Sequence, residues 1–333
     1  MGALICIDDI TSAAERIAGH VLHTPTVPSP GLSAHLGVPV TLKLELLQHT
    51  GSFKPRGAAH KLLSLTAAER GTGVVAMSGG NHGTAVAAVA GSLGIAATVV
   101  MPESAPGRSI AAVRASGADL RLTPDMAGAF ALTAALVEDG STLVHPFDDL
   151  VVIAGQGTVG LEFVADAPTL TDVLVSIGGG ALISGVATAL RAALPDVRIW
   201  GIETEGADAM SRALTAGRPV PVELSSIAST LSAPSVSRLT YDHVIALVED
   251  VLVVPDADAV RGMLTLAEEA KLWVEPATGC LVPAAHQVLD RVGPGARLGL
   301  VVCGGNVTFD DVRGWVDRFG ATPLPAFRAR AAR

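Results

Sequence analysis

The amino-acid sequence predicts an α/β protein with mostly parallel, twisted sheets flanked by helices. Short apolar runs recur along the 333 residues, helix-like stretches alternate with them, and 49% hydrophobic residues supply enough apolar surface for two lobes. Alternation of strands and helices favours parallel pairing, because a parallel pair needs a crossover connection that is usually a helix. The runs predicted as strands are 41–46, 73–78, 96–101, 118–123, 172–177, 198–203, 250–254 and 297–303.

The first of these strands, 41–46, leads through a polar turn to a helical stretch at 58–63, and Lys54 lies in the junction. A lysine at a helix N-terminus opposes the helix dipole, and the neighbours Phe53 and Pro55 reduce its contact with water. Both effects lower the pKa of the amine and favour Schiff-base formation with a carbonyl cofactor. For this segment taken alone, an ordinary solvated lysine is the alternative.

The second strand ends in the polar segment 78–82, and a helical stretch at 84–93 follows. Backbone N–H groups at a helix N-terminus attract anions, and the side chains of Ser78 and Asn81 add further polar groups. The segment therefore predicts a site for a carboxylate or a phenolic oxygen. Taken alone, Asn81 also suits a helix cap and His82 a surface position.

The strand at 172–177 is followed by a glycine loop, 178–182, and then by a helical stretch at 186–194. Glycines allow close backbone approach, so that several N–H groups point at one anion. The spacing matches neither a dinucleotide fingerprint nor a P-loop, and a single phosphate is the better ligand. A tight turn without a ligand is the alternative.

The last predicted strand, 297–303, ends in Cys303 and two glycines followed by Asn306. A cysteine at such a position is by default a small buried apolar residue. Each of these four strand-ending segments has a structural explanation by itself. Their occurrence together in one chain favours a cofactor enzyme.

The four segments resemble, in sequence and in order, those of the serine/threonine dehydratase family of fold-type II pyridoxal phosphate enzymes, in the tryptophan synthase beta-like superfamily. They are Ser52-Phe53-Lys54-Pro55-Arg56-Gly57, Ser78-Gly79-Gly80-Asn81-His82, Gly178-Gly179-Gly180-Ala181-Leu182 and Cys303-Gly304-Gly305-Asn306. The resemblance spans nearly the whole chain, with further matches at 23–25, 43–48, 100–102, 145–149, 154–158 and 275–279.

The resemblance implies that the cofactor is pyridoxal 5'-phosphate and that Lys54 forms the Schiff base with it. Phe53 would pack on the pyridine ring, Asn81 would bind the 3'-oxygen, and Cys303 would lie beside the pyridine nitrogen as a neutral thiol, which favours β-elimination. The phosphate would bind the backbone of Gly178, Gly179, Gly180, Ala181 and Leu182. The candidates for binding the substrate carboxylate are Ser52, Ser78, Asn81 and His82.

The resemblance also implies the domain organisation. Residues 1–68 and 151–333 would form a large domain that contains the phosphate loop, and residues 69–150 a small domain, with the cofactor in the cleft between them. The chain ends soon after its last predicted strand, which leaves no room for the C-terminal regulatory domain of biosynthetic threonine dehydratases. A homodimer is the expected assembly.

Composition excludes several classes of partner. A net charge of −9 and 23 scattered basic residues argue against nucleic-acid binding. The apolar run 85–101 is interrupted by Gly91, Ser92 and Gly94, so it predicts a core helix and a buried strand, and we expect no membrane association.

Two further observations concern the compartment. Three well-separated cysteines, with no Cys-x-x-Cys pair, suit a reducing compartment without structural zinc. The acidic start of the chain, 1–9, is unlike a signal peptide, and the expected localisation is cytoplasmic.

The expected function is that of a pyridoxal phosphate dependent ammonia-lyase, which converts a β-hydroxy amino acid such as threonine or serine to an α-keto acid and ammonia. Lys54 would remove the α-proton as a neutral amine. A non-catalytic cofactor-binding protein is less consistent with a retained reactive amine. A β-replacement synthase is disfavoured by Arg56 and Gly57 after the lysine, and a racemase by Gly79, which stands where serine racemases of the family carry a second serine.

Two departures from the family pattern affect the substrate and the metal. Ala228-Ser229-Thr230 replaces the usual Ala-Asp-Gly segment near the expected substrate side, so a bulkier β-hydroxy amino acid or a diamino acid stays open. The family's divalent cation site resembles the segment that begins at Glu203, but Ala209 stands where a carboxylate is expected. We therefore predict no metal site there.

Overall fold

The computed structural model describes residues 4–328, which contain one sheet of six strands and one of four. The six-stranded sheet has the order β1-β2-β10-β7-β8-β9, and the four-stranded sheet has the order β5-β4-β3-β6. The strands are β1 (Thr26–Pro28), β2 (Val40–Lys43), β3 (Val74–Met77), β4 (Ala97–Pro102), β5 (Asp119–Thr123), β6 (Thr142–Leu143), β7 (Asp172–Ser176), β8 (Arg198–Thr204), β9 (Asp250–Val254) and β10 (Leu298–Val301).

Nearly all strand pairs in residues 4–328 are parallel, and the exception is the antiparallel pair of the short edge strand β1 with β2. Strands β7 and β10 are buried along their whole length, as expected for parallel strands covered by helices on both faces. They are direct neighbours, with Leu174 opposite Leu300. The loops that follow them therefore meet at one edge of the sheet, where Gly178 and Cys303 lie.

Helices cover both sheets. They are α1 (Ile7–Ile17), α2 (Pro30–Leu36), α3 (Pro55–Ser64), α4 (Ala67–Thr72), α5 (Asn81–Leu93), α6 (Gly107–Ala115), α7 (Met126–Glu138), α8 (Leu150–Asp166), α9 (Ala181–Ala193), α10 (Ala209–Ala216), α11 (Arg238–Leu247), α12 (Asp256–Thr265), α13 (Pro276–Gly279), α14 (Leu281–Val292) and α15 (Phe309–Phe319). Short 3-10 turns at Glu45–Leu47 and His49–Gly51 precede α3, and a π-turn, Leu266–Ala270, extends α12.

Helices α8 and α9 pack with unusually close backbones. A Cβ atom on Gly185 of α9 would lie 2.4 Å from the backbone nitrogen of Gly157 in α8. No side chain fits between the two helices at Gly185, so this position requires glycine. The close packing fixes the position of α9, whose N-terminus follows the glycine loop.

The structure confirms the predicted fold class and each of the eight predicted strands. Two short strands, β1 and β6, were not predicted, because three and two residues are too few to form an apolar pattern. The first predicted strand is shorter than expected: it ends at Lys43, and the chain turns into the 3-10 turn at Glu45. Among residues 4–328, we find no helix with the length and apolar character needed to cross a membrane.

Candidate active site

The loop before Lys54 has a constrained backbone. Thr50 and Gly51 both have left-handed φ angles, 64° and 74°. A Cβ atom on Gly51 would lie 2.6 Å from Asn306 Oδ1, and Asn306 Nδ2 donates a hydrogen bond of 2.8 Å to the Thr50 carbonyl. The loop after β10 thus holds the turn that leads to Lys54.

A buried network of charges holds the other side of Lys54. The Arg56 guanidinium donates to both carboxylate oxygens of Glu45 at 2.8 Å, and to Glu162 at 2.7 and 2.8 Å. Lys43 donates to Glu162 at 2.6 Å. Two cations and two anions balance one another, and their hydrogen bonds offset the cost of desolvation. The network joins the first turn of α3 to α8 and to the 3-10 turn at Glu45.

Lys54 differs from the other lysines of the chain. Within residues 4–328, Lys43 and Lys61 form ion pairs with carboxylates, and Lys271 donates to the Glu268 carbonyl. The Lys54 amine forms no hydrogen bond or ion pair with any described residue, and its Nζ lies 5.0 Å from the centre of the Phe53 ring. Desolvation lowers its pKa to about 8, although Cys303 and Glu275 oppose the shift. A large fraction of this amine is therefore neutral and nucleophilic near pH 8.

Cys303 is buried next to this lysine loop. Its carbonyl accepts a hydrogen bond from the Phe53 N–H at 3.1 Å, and its sulfur lies 3.2 Å from Thr278 Oγ1. Desolvation, together with the negative charge of Glu275, raises the pKa of the thiol to about 12. The thiol is consequently neutral at physiological pH and can donate or accept a weak hydrogen bond.

Glu275 lies at the centre of the site, and sequence reasoning had given it no role. Its carboxylate accepts hydrogen bonds from Asn81 Nδ2 at 3.0 and 3.1 Å, from Thr230 Oγ1 at 2.9 Å and from the Asn306 N–H at 3.1 Å. Burial raises the pKa of this carboxyl, and its three hydrogen-bond donors oppose the shift. Glu275 is therefore buried between two loops of the six-stranded sheet and the start of α5. This position marks it as a site residue, and it can be recognised only in the folded structure.

Asn81 is oriented from both ends of its amide. Its Nδ2 donates to Glu275, and its Oδ1 accepts from Asn306 Nδ2 at 2.7 Å. Because both polar atoms have partners, the amide is held in one orientation. Asn81 begins α5, and the N-cap residue is the preceding Gly80.

Two helix N-termini at the site lack side-chain caps. The N-cap residues of α5 and α9 are Gly80 and Gly180, and neither helix has a capping side chain. Ala181 and Leu182, in the first turn of α9, are buried at 4% and 5% exposure. A buried helix start with unpaired N–H groups is a strong anion site. The two helices therefore offer one place for a phosphate and one for a carboxylate.

Two buried polar atoms near Lys54 also lack partners among the described residues. Ser52 Oγ and His82 Nδ1 are buried without a hydrogen bond, whereas His82 Nε2 donates to the Val144 carbonyl at 2.8 Å. Desolvation and the neighbouring Lys54 lower the pKa of His82 to about 3, so the ring is neutral. Its free Nδ1 is then an acceptor.

The structure brings most of the predicted residues together. Lys54, Asn81 and Cys303 surround Glu275, and Ser78 lies three residues before Asn81, the first residue of α5. The glycine loop reaches the same site through Phe147, which packs on Gly179 and stacks edge-on against His145 at 4.7 Å. Burial lowers the pKa of the His145 ring, and the positive charge of Lys54 lowers it further. Ala181 and Leu182 lie in the first turn of α9, not in the loop.

The segment that resembles a cation site is differently arranged. Glu203 accepts hydrogen bonds of 2.8 Å from the N–H groups of Met210 and Ser211 at the start of α10. Burial raises the pKa of Glu203 to about 8. Among residues 4–328, no three acidic, histidine or cysteine side chains are grouped so that they could hold a metal ion. The Glu203 carboxylate therefore accepts hydrogen bonds from the backbone N–H groups at the N-terminus of α10.

Comparison with known proteins agrees with this geometry. A family model described as "Pyridoxal-phosphate dependent enzyme" matches residues 17–304. An L-threonine ammonia-lyase of Thermotoga maritima is 38% identical over 307 residues, covering 91% of this chain and 76% of the relative. An L-threo-3-hydroxyaspartate ammonia-lyase of a Pseudomonas species is 38% identical over 308 residues, covering 91% and 95% of the two chains.

Solved structures show the same fold. Maize serine racemase superposes with a TM-score of 0.89 at 33% identity, covering 95% of this chain and 98% of its own. The family model spans the lysine loop, both uncapped helix starts and Cys303. On this evidence, the chain belongs to the pyridoxal-phosphate dependent enzyme family.

Proposed function

We propose that this protein is an ammonia-lyase that converts a β-hydroxy amino acid to an α-keto acid and ammonia. The main observation behind the proposal is the Lys54 amine, which has no hydrogen-bond or ion-pair partner among the described residues and whose pKa is about 8. It lies at a site with two helix starts that no side chain caps. The ammonia-lyases with 38% identity support the same reaction.

The residues of the site fit pyridoxal phosphate. The buried start of α9 with Gly178–Gly180 before it suits the phosphate, because no side chain caps its N–H groups. Lys54 would hold the cofactor covalently, Phe53 would contact its ring, Asn81 would bind the ring oxygen, and the neutral thiol of Cys303 would face the ring nitrogen. When bound, pyridoxal phosphate withdraws electrons from the substrate α-carbon.

The chain's own groups would then handle the substrate. The start of α5, with Ser78, Asn81 and His82, would bind the carboxylate. Ser52 Oγ, two residues before Lys54, is a further buried group without a partner among the described residues. Lys54, as a neutral amine, would accept the α-proton. The neutral state of Cys303 at physiological pH supports elimination, because it would not force a proton onto the ring nitrogen.

Racemisation is the second reaction to consider, because a serine racemase has the same fold. It requires proton donors on both faces of the α-carbon, and Lys54 supplies only one. Gly79 has no side chain, and a Cβ atom placed on it would meet Ala105 and Pro102, which are not acids. This observation favours elimination.

We also propose that the chain forms a large and a small domain and that the protein is a homodimer located in the cytoplasm. The four-stranded sheet, whose strands lie between Val74 and Leu143, supports a small domain at 69–150. The stacked side chains of Trp273 and Phe309 are 43% and 70% exposed, which supports contact with a second copy. Light scattering coupled to size-exclusion chromatography tests the dimer.

The function is tested by measuring ammonia and keto acid from serine, threonine, 3-phenylserine and threo-3-hydroxyaspartate. We expect turnover of at least one of these substrates, and none by Lys54→Ala. Purified protein that releases neither product from the whole panel would contradict the proposal.

A further inference from the structure

Thr230 lies between Glu275 and the start of α5. It is half-buried, in the irregular segment that joins α10 to α11. Its hydroxyl donates to Glu275 Oε1 at 2.9 Å. Its methyl carbon lies 3.7 Å from the position that a Cβ atom on Gly80 would occupy. Gly80 is the N-cap residue of α5, where the substrate carboxylate would bind.

The distance from Thr230 to Gly80 sets the width of the gap. A single methyl group on Gly80 would already be in van der Waals contact with the Thr230 methyl. The space between the Thr230 methyl and Gly80 therefore holds about one methyl group. An aromatic ring does not fit there unless one of the two walls moves.

The segment that carries Thr230 is firmly held. Asp256 accepts hydrogen bonds from the Ser226 hydroxyl and from the Ile227 N–H at 2.9 Å, and Ser226 Oγ in turn accepts from the Ala228 N–H at 3.0 Å. Beyond Thr230, Leu231 packs against the glycine loop, with its carbonyl 3.1 Å from the position of a Gly178 Cβ atom. The segment is thus fixed on both sides of Thr230.

The rotamer of Thr230 is fixed as well. Threonine is β-branched, so the position of its hydroxyl determines the position of its methyl group. The hydroxyl is bound to Glu275, which is itself held by Asn81 and Asn306. The methyl group is therefore directed at Gly80 and cannot rotate away without breaking the bond to a buried carboxylate.

From this geometry we propose that Thr230 is a specificity-determining residue. It restricts the substrate to β-hydroxy amino acids whose β-carbon carries only hydrogen or a methyl group, such as serine and threonine, and excludes an aryl substituent. The inference rests on the proposed ammonia-lyase function and adds the substrate class. The Thr230 methyl group forms the wall that limits the size of the β-substituent. Glu275 acts as the positioning residue, because its carboxylate holds the Thr230 hydroxyl.

The test compares kcat/KM for threonine and 3-phenylserine in the wild type and four variants. Thr230→Gly removes the wall, and we expect the ratio of phenylserine to threonine to rise about tenfold or more, the usual effect of a methyl-sized change in a pocket. Thr230→Ser removes only the methyl and should raise the same ratio. Thr230→Val retains the bulk and should keep the wild-type preference for threonine.

Ser229→Ala is the matched control, because Ser229 is the exposed neighbour and should leave the ratio unchanged. Absorption of the bound cofactor in each variant shows that the site remains assembled. An unchanged ratio in both Thr230→Gly and Thr230→Ser would overturn the proposal, as would a wild type that prefers phenylserine. These outcomes differ from a failure of the proposed function, in which the wild type turns over neither substrate.

Discussion

The Arg56 guanidinium forms two hydrogen bonds of 2.8 Å with the Glu45 carboxylate, and both side chains are fully buried. The same guanidinium also binds Glu162, so two carboxylates share the positive charge of one arginine. Arg56 follows Lys54 by two residues. The pair therefore anchors the start of α3 and, with it, the backbone from which the Lys54 side chain extends.

Replacing Arg56 by methionine should destabilise the protein strongly. The fully buried Glu45 carboxylate would lose its principal partner and the partly buried Glu162 one of its two cations. Removal of one member of a buried pair typically costs about 3–5 kcal/mol. Urea unfolding followed by circular dichroism measures the change in the free energy of unfolding. The matched control is Arg121→Met, which breaks an exposed pair with Asp119 and should cost at most about 1 kcal/mol. Equal losses in the two variants would contradict this account.

Much of the fold follows from local sequence. The apolar runs of β7 and β10 are buried throughout and are followed by glycines, so the apolar pattern and the turn residues identify them. Lys54, Asn81 and Cys303 are recognisable because each follows a strand within a short motif. These features depend on neighbouring residues in the chain and therefore survive in the sequence.

The contacts of Glu275, in contrast, cannot be predicted from local sequence. Its carboxylate binds Asn81, 194 residues away, and Thr230, 45 residues away. No local pattern encodes a pairing over such distances, because it depends on how the two sheets are placed. The same holds for the bond between Arg56 and Glu162, which are 106 residues apart. The electrostatics of the site is thus a property of the tertiary structure.

Introducing a hydroxyl at Gly79 should produce a racemase side reaction. A Cβ atom at this position would lie 3.3 Å from Ala105 Cβ, so Gly79→Ser fits if Ala105 shifts slightly. General acid assistance is commonly worth ~10²-fold or more in rate. Chiral chromatography of recovered substrate measures the D-enantiomer, and Gly79→Ala, which has the added carbon without the hydroxyl, is the control. Rapid racemisation by the wild type would refute the role given to Gly79.

The neutral thiol of Cys303 leads to a prediction about the ring nitrogen. Cys303→Ser preserves a neutral partner and should retain most of the ammonia-lyase activity. Cys303→Asp introduces an acid that favours a protonated ring, and it should lower kcat and shift the absorption band of the bound cofactor. Visible spectra and steady-state rates test both variants. An aspartate variant with the spectrum and kinetics of the wild type would show that Cys303 does not face the nitrogen.

The lowered pKa of Lys54 predicts a pH dependence for cofactor uptake. Only the neutral amine is nucleophilic, so in the cofactor-free protein its reactive fraction rises as the pH increases through about 8. For an amine with the ordinary pKa of 10.5, the rise would come more than two units later. Stopped-flow absorbance after mixing with pyridoxal phosphate gives the rate at each pH. A rate that keeps rising up to pH 10 would contradict the desolvated state of the amine.

The same amine makes a prediction about stability. Because the unfolded chain binds the Lys54 proton more tightly than the folded protein, this group adds stability as the pH rises from about 8 towards 10.5. Lys54→Met should remove that increment and raise stability at neutral pH. Urea unfolding of both proteins in their cofactor-free form at pH 7 and pH 9.5 provides the comparison.

The central claim is that Lys54 is the attachment point of the cofactor, and borohydride reduction followed by peptide mass mapping tests it most directly. The four lysines are Lys43, Lys54, Lys61 and Lys271, and all but Lys54 are bound to an acceptor within residues 4–328. The account predicts that the reduced cofactor mass is found on the peptide containing Lys54, and that Lys54→Ala carries no label and has no activity. Label on another lysine, or a labelled and active Lys54→Ala, would contradict it.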